Sequence, residues 1–171
     1  RPFDLPAQAP ARAWPEPVRL QAVLDRIAAA KRLVLIGGHG VWWSGGEALL
    51  EEAGRSLGIP IFNIPYHQKL LGEECEAYMG LADAHQYHPS ADAFNDSDLI
   101  LMIGARLDNQ MNFGNAPLFP ATTTLCCING SHEEIDFNRP ADVTLLSDPG
   151  AFLQALIDAG KSGSIAPDRS W

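Results

Sequence analysis

The spacing of apolar residues changes period twice before residue 40, and each change marks an element. Leu20, Val23, Leu24 and Ile27 recur three or four apart, and Ala28 to Ala30 extend them with strong helix formers, which predicts a helix running up to Lys31. Leu33 to Ile36 is then a continuous run of branched apolar residues, the pattern of a strand covered on both faces in a parallel sheet. Gly37-Gly38-His39-Gly40 stops it. A second helix is expected from about Gly46 to Leu57 with Gly58 as its C-terminal cap, and Ile59 to Ile64 reads as the next strand, completing a βαβ unit.

Leu99 to Ile103 is the clearest buried strand, introduced by the turn residues Asp96, Ser97 and Asp98 and closed by Gly104. Thr123 to Ile128 and Val143 to Leu146 are two further strands. The last helix carries Asp148 as N-cap, Pro149 at its first position, Ala151 to Ala159 as its body and Gly160 as its stop. Alternating helices and two-sided strands predict an α/β fold with a doubly wound parallel sheet of about six strands and helices on both faces, where ligands collect at the carboxyl ends of the strands.

Five prolines (Pro2, Pro6, Pro10, Pro15 and Pro17) fall in the first seventeen residues, so 1–17 reads as a semi-rigid linker, 18–160 as the folded domain and 161–171 as a polar exit linker. The chain opens at Arg1 inside that linker without an initiator Met, which suggests a segment upstream. At 171 residues and 46% hydrophobic content, one soluble globular domain is expected. A net charge of −9, with the basic residues scattered, argues against nucleic acid as partner. No stretch approaches the ~20 apolar residues of a bilayer span and no signal peptide stands at the start, so no membrane partner and a cytoplasmic location are expected. Cys126 and Cys127, adjacent in an apolar run, read as buried thiols, and Cys75 lies in an acidic stretch that disfavours a thiolate.

Chemistry is sought at the strand ends. The Gly37 to Gly40 turn lets backbone amides approach a diphosphate, or serves only tight packing of strand against helix; it is not G-x-G-x-x-G, and no acid follows the second strand to hold a ribose. Arg106 can fork onto a phosphate or carboxylate, or pair with Asp108 or another nearby acid. Asn129 and Ser131 can bond a ribose, while Ser131 with Glu134 also fits a capping box. His85, His88 and Asp92 have helical spacing for metal ligands, but Pro89 interrupts it. Trp42 and Trp43 are either an exposed anchor for another domain or packing at the sheet edge. There is no nucleophile elbow, no paired-carboxylate motif and no triad, so no catalytic residue is assigned.

Taken together, Lys31 to Gly40, Ser44-Gly45, Leu57-Gly58-Ile59-Pro60, Asp98 to Asp108, Asn138 to Val143 and the helix start at Asp148 resemble the central domain of thiamine diphosphate-dependent enzymes of the acetolactate synthase-like family. The likeness runs from about Val18 to Ala159. It implies a Rossmann-like domain between a pyrimidine-binding domain with an activating Glu and a pyrophosphate- and magnesium-binding domain, in a parent that uses thiamine diphosphate and Mg2+ and assembles as a homodimer or homotetramer. The fragment alone is then not expected to be active. Some relatives hold FAD or ADP in this domain without redox chemistry, and others leave the site empty. By position, Gly37, Gly38, His39, Gly40 and Arg106 would face the nucleotide, with Asn129 and Ser131 standing where nucleotide-binding relatives carry two aspartates. Met111 to Pro117 resembles the acetolactate synthase-like and acyl-CoA lyase-like branches more than the pyruvate decarboxylase branch. The competing reading is a free-standing NAD- or nucleotide-binding Rossmann-like module.

Overall fold

In the computed structural model, which describes residues 11–65, 70–83 and 88–168, strands and helices alternate as the hydrophobic pattern requires. Helix α1 (Pro17–Ala29) leads into β1 (Leu33–Gly37), the short α2 (His39–Trp43), α3 (Glu47–Leu57) and β2 (Ile61–Asn63). Then come β3 (Tyr78–Leu81), α4 (His88–Asp96), β4 (Leu99–Ile103), β5 (Thr124–Asn129), β6 (Val143–Leu146) and α5 (Pro149–Lys161). All strand pairs are parallel, in the order β3-β2-β1-β4-β5-β6. This is the doubly wound sheet of dinucleotide-binding folds, with the chain reversing direction across the sheet between β1 and β4.

Because successive strand side chains alternate faces, the two central strands feed two cores. Leu33, Leu35, Leu99, Leu101 and Ile103 pack with Val23 and Ile27 of α1, Leu50 and Leu57 of α3, and Phe152 and Leu156 of α5. Val34, Ile36, Ile100 and Met102 face the other way, onto Phe94 of α4 and Leu107, Met111, Leu118 and Phe119 of the segment after β4. Phe94 lies 5.1 Å from Phe62 and 5.6 Å from Phe119, centroid to centroid. Among the described residues, that second face is covered by one α-helix and an irregular layer, since 105–122 has no helical period and holds Asn112 and Phe113 at positive φ.

Particular boundaries differ from the sequence reading, each for a local reason. Pro60, lacking an N–H, precedes β2, and the Ile59 N–H closes the end of α3 on Gly54 O, so the strand is Ile61–Asn63, shorter than expected. Gly58 does cap α3, at φ +69. Gly160 does not stop α5. It lies inside the helix because a Cβ there would overlap Leu57 Cδ2 of α3, and the chain leaves through Gly163 at φ +75. Pro89 opens α4, in the first turn where a missing N–H costs nothing, instead of interrupting a helix. The His85, His88 and Asp92 spacing weighed for metal ligands lies partly outside the described residues, which leave out His85 and the side chain of His88. Strand β3 was not anticipated: it is a half-exposed edge strand just after an acidic stretch, without an apolar run to mark it.

The turns after β1 and β4 interlock. The Gly38 N–H donates to Ile103 O and the Gly40 N–H to Gly104 O, both at 2.9 Å. A Cβ on Gly38 would overlap Gly104 O and stand 2.6 Å from Ala105 Cα, and one on Gly40 would stand 2.7 Å from Gly104 Cα. Gly38→Ala should therefore cost about 2 kcal/mol or more, in the range of overpacked cores, when measured by urea unfolding. Gly45→Ala is the control: nothing lies within 4 Å of its Cβ position, and only the positive φ of +62 is penalised, at about 1 kcal/mol. Equal losses at the two positions would refute the interlock.

Candidate functional site

At the carboxyl edge of the sheet, where β1 and β4 send the chain to opposite faces, lies a cleft of about 880 Å³. The turn after β1 contributes His39, Gly40, Trp43 and Ser44. The turn after β4 brings Arg106, Asp108 and Gln110, and the turn after β5 brings Asn129, Ser131 and Glu134. Ile64 and Pro65 follow β2, Asp148 and Pro149 open α5, and Ala11 and Arg12 enter from the segment before α1. His39, Gly40, Arg106, Asn129 and Ser131 thus meet in one cavity, whereas Gly37 and Gly38 stand behind it with backbone bonds to Ile64 and Ile103.

Arg106, Asp108 and Asn129 already have local partners. Arg106 Nη1 lies 3.3 Å from Glu134 Oε1, and its guanidinium carbon sits 5.1 Å from the Phe137 ring centroid, with half of the side chain exposed. Asp108 is not its partner: that carboxylate accepts the Gln110 N–H at 3.1 Å. Asn129 spans two turns, donating through Nδ2 to Ala105 O at 3.3 Å and accepting the Ser131 N–H at 3.2 Å. The capping box expected of Ser131 and Glu134 does not form. Only the single 3-10 turn His132–Glu134 follows, the Ser131 side chain makes no capping bond to it, and Glu134 turns to Arg106.

Arg12 was missed by sequence reasoning, because a lone arginine among alanines and prolines carries no pattern. Its Nη2 donates to Ser44 O at 2.7 Å. The cleft therefore presents two guanidinium groups, Arg12 and Arg106, among the carboxylates of Asp108, Glu134 and Asp148. Trp43 is 77% exposed at the rim, while Trp42 packs against the core, and the two rings meet edge-on at 4.6 Å.

The two strand thiols are held protonated. Burial pushes the Cys126 thiol up to about 12 and the Cys127 thiol up to about 11, which suppresses the thiolate at neutral pH, and Cys75 is buried in the α1/α3/α5 core. Among the described residues no three His, Cys, Asp or Glu side chains gather to hold a metal ion. No described helix is long and apolar enough to cross a membrane.

The family model of the thiamine pyrophosphate enzyme central domain matches residues 20–156. The chain belongs to that family. It is 25% identical over 141 residues to a probable acetolactate synthase large subunit of Methanococcus aeolicus, covering 82% of this chain and 23% of that protein. It is 30% identical over 105 residues to 2-hydroxyacyl-CoA lyase 1 of Dictyostelium discoideum, covering 61% of this chain and 17% of that one. A thiamin diphosphate-dependent enzyme structure from Mycobacterium smegmatis superposes on 96% of this chain and 30% of its own, with a TM-score of 0.78 at 22% identity. Benzoylformate decarboxylase from Polynucleobacter necessarius superposes on 99% of this chain and 31% of its own, with a TM-score of 0.76 at 18% identity. These two likenesses establish the fold. The central-domain chain spans about a quarter of the length of the curated relatives it matches.

The two strand thiols give the central domain a pH signature. Their folded values lie above the ordinary 9.0, so the stability they support is complete below about pH 9 and is lost as pH rises toward about 12, where the unfolded thiols have already ionised. Urea midpoints should fall between pH 8 and pH 10.5, and fall less in Cys126→Ala. An equal fall in both proteins would show that the Cys126 thiol is not responsible.

Proposed function

We propose that this central domain is the non-catalytic middle of a larger thiamine diphosphate-dependent enzyme that makes or breaks carbon–carbon bonds next to a carbonyl, by 2-oxo acid decarboxylation, carboligation or lyase chemistry, and that its cleft holds an adenine nucleotide as FAD or ADP without redox use. Family membership, the acetolactate synthase and 2-hydroxyacyl-CoA lyase relatives and the Met111 to Pro117 segment support the first half. The observation that carries the second is the gathering of His39, Gly40, Arg106, Asn129 and Ser131 around one cleft at the reversal point of the sheet. Its volume of about 880 Å³ is within the range of small-molecule sites.

The residues present fit such a ligand. Arg106 is held by an exposed ion pair worth about 0–1 kcal/mol, which a phosphate taking a bidentate fork can displace. Asn129 and Ser131 offer neutral hydrogen bonds to a ribose, weaker than the charge-assisted bonds of carboxylates. Gly37 and Gly38 support the turn from behind. Thiamine diphosphate supplies the electron sink for the parent's reaction. As the central domain of its family, this chain leaves that cofactor and Mg2+ to flanking pyrimidine-binding and pyrophosphate-binding domains, and no catalytic step is assigned to it. A homodimeric or homotetrameric parent and a cytoplasmic location complete the reading, the latter supported by three buried thiols free of disulfides.

Thermal unfolding of the 171-residue chain with ADP, FAD, ATP, NAD and CoA tests the nucleotide site, since a ligand at about 100 times its dissociation constant adds roughly 2.7 kcal/mol. Stabilisation by ADP or FAD that disappears in Arg106→Ala is expected. Stabilisation by NAD alone would instead favour an NAD site in this domain. No stabilisation by any of the five would remove the nucleotide and leave the scaffold.

A further inference from the structure

One wall of the cleft comes from outside the strand turns and helices. Residues 11–13 cross the start of α5, where the Asp148 N–H donates to Ala13 O at 2.9 Å and the Ser147 hydroxyl donates to the same oxygen at 3.2 Å. Beside this clamp, the Arg12 guanidinium is seated against Gly150, at which a Cβ would come 2.7 Å from Nη1. The absence of a side chain at 150 makes that seat. Nη2 is fixed by Ser44 O at 2.7 Å, but Nη1 stands 3.5 Å from Asp148 Oδ1, the outer limit of a hydrogen bond. That carboxylate oxygen already accepts the Ala151 N–H at 2.9 Å as the N-cap of α5. Asp148 is therefore a helix cap first and a counter-ion to Arg12 second.

The guanidinium is thus held in place by a neutral carbonyl, lines the cleft at the end of a half-exposed side chain, and spends only part of its planar fork on Ser44 O and Asp148 Oδ1. A phosphate oxygen satisfies such a fork better than a carboxylate at the limit of reach. We infer that Arg12 is a second anion anchor of the cleft, joining Arg106 on the phosphate groups of the bound nucleotide. The inference rests on the nucleotide reading above and adds to it a residue outside the family match, which begins at residue 20. A bound phosphate would tie the segment before α1 to the turn after β4, so occupancy of the cleft and the path of the chain entering the domain would be coupled.

Titration calorimetry of the 171-residue chain with ADP and with adenosine separates an anion anchor from a wall. Losing one charge-assisted contact, Arg12→Ala should weaken ADP by about tenfold while changing adenosine by less than about twofold. Arg12→Lys keeps the charge without the fork and should lie between. Arg12→Ala without ligand should keep the urea midpoint of the unaltered chain, because its ion pair is half exposed, which guards against misreading a variant that folds poorly. ADP affinity kept in Arg12→Ala but lost in Arg106→Ala would overturn the anchor and preserve the nucleotide site. Equal weakening of ADP and adenosine would reduce Arg12 to a wall and also overturn it. Failure of the unaltered chain to bind ADP at all would overturn both.

Discussion

The contact on which the rest of the architecture depends is the one between two turns, where Gly38 and Gly40 give their amide protons to Ile103 O and Gly104 O. β1 and β4 are neighbours in the sheet, yet the chain leaves them toward opposite faces, so their turns must pass each other at the reversal point. Backbone bonds at 2.9 Å bring the turns too close for any Cβ at positions 38, 40 or 104. The same contact draws the floor of the cleft. Gly38 and Gly40 spend their amides on protein carbonyls, so a diphosphate would find its charge compensation in side chains above that floor more than in those two backbone groups.

That shift from backbone to side chain explains the character of the cleft. Its two arginines reach it by different routes, Arg106 from the turn after β4 and Arg12 from the segment before α1. Each is matched by a carboxylate that has its own position in the fold: Glu134 in a single 3-10 turn and Asp148 at the cap of α5. The pairs are long, at 3.3 and 3.5 Å, and half exposed on the arginine side, so they hold the side chains in place without contributing much to stability. Pairs of this kind are weak enough for a stronger anion to displace the carboxylates.

Most of the fold was legible because its strands are two-sided. Leu33 to Ile36 and Leu99 to Ile103 are buried at every position, and a continuous branched run is the mark of that environment. Edge strand β3 was invisible for the converse reason: Tyr78 to Leu81 alternate between half-buried and exposed with no apolar run. Gly160 misled because a glycine near the end of a helix reads as a cap, while here it accommodates Leu57 from a helix distant in sequence. Arg106, Asn129 and Ser131 could be placed at the cleft because they stand at strand ends. Arg12 could not, since its place depends on a tertiary seat against Gly150 that no local pattern encodes.

Asn129 shows how one substitution changes the role of a position without disturbing the fold. It ends β5 at the cleft, where nucleotide-binding relatives are expected to carry an aspartate. An amide does there what a carboxylate cannot: it donates to Ala105 O while accepting from the Ser131 N–H, joining the turns after β4 and β5. A carboxylate at the same position would face Ala105 O acceptor to acceptor and would keep its charge for a ribose. Position 129 is therefore used in this chain to bind one turn to another, and in the nucleotide complex proposed above recognition would move toward the phosphate end, where the arginines stand.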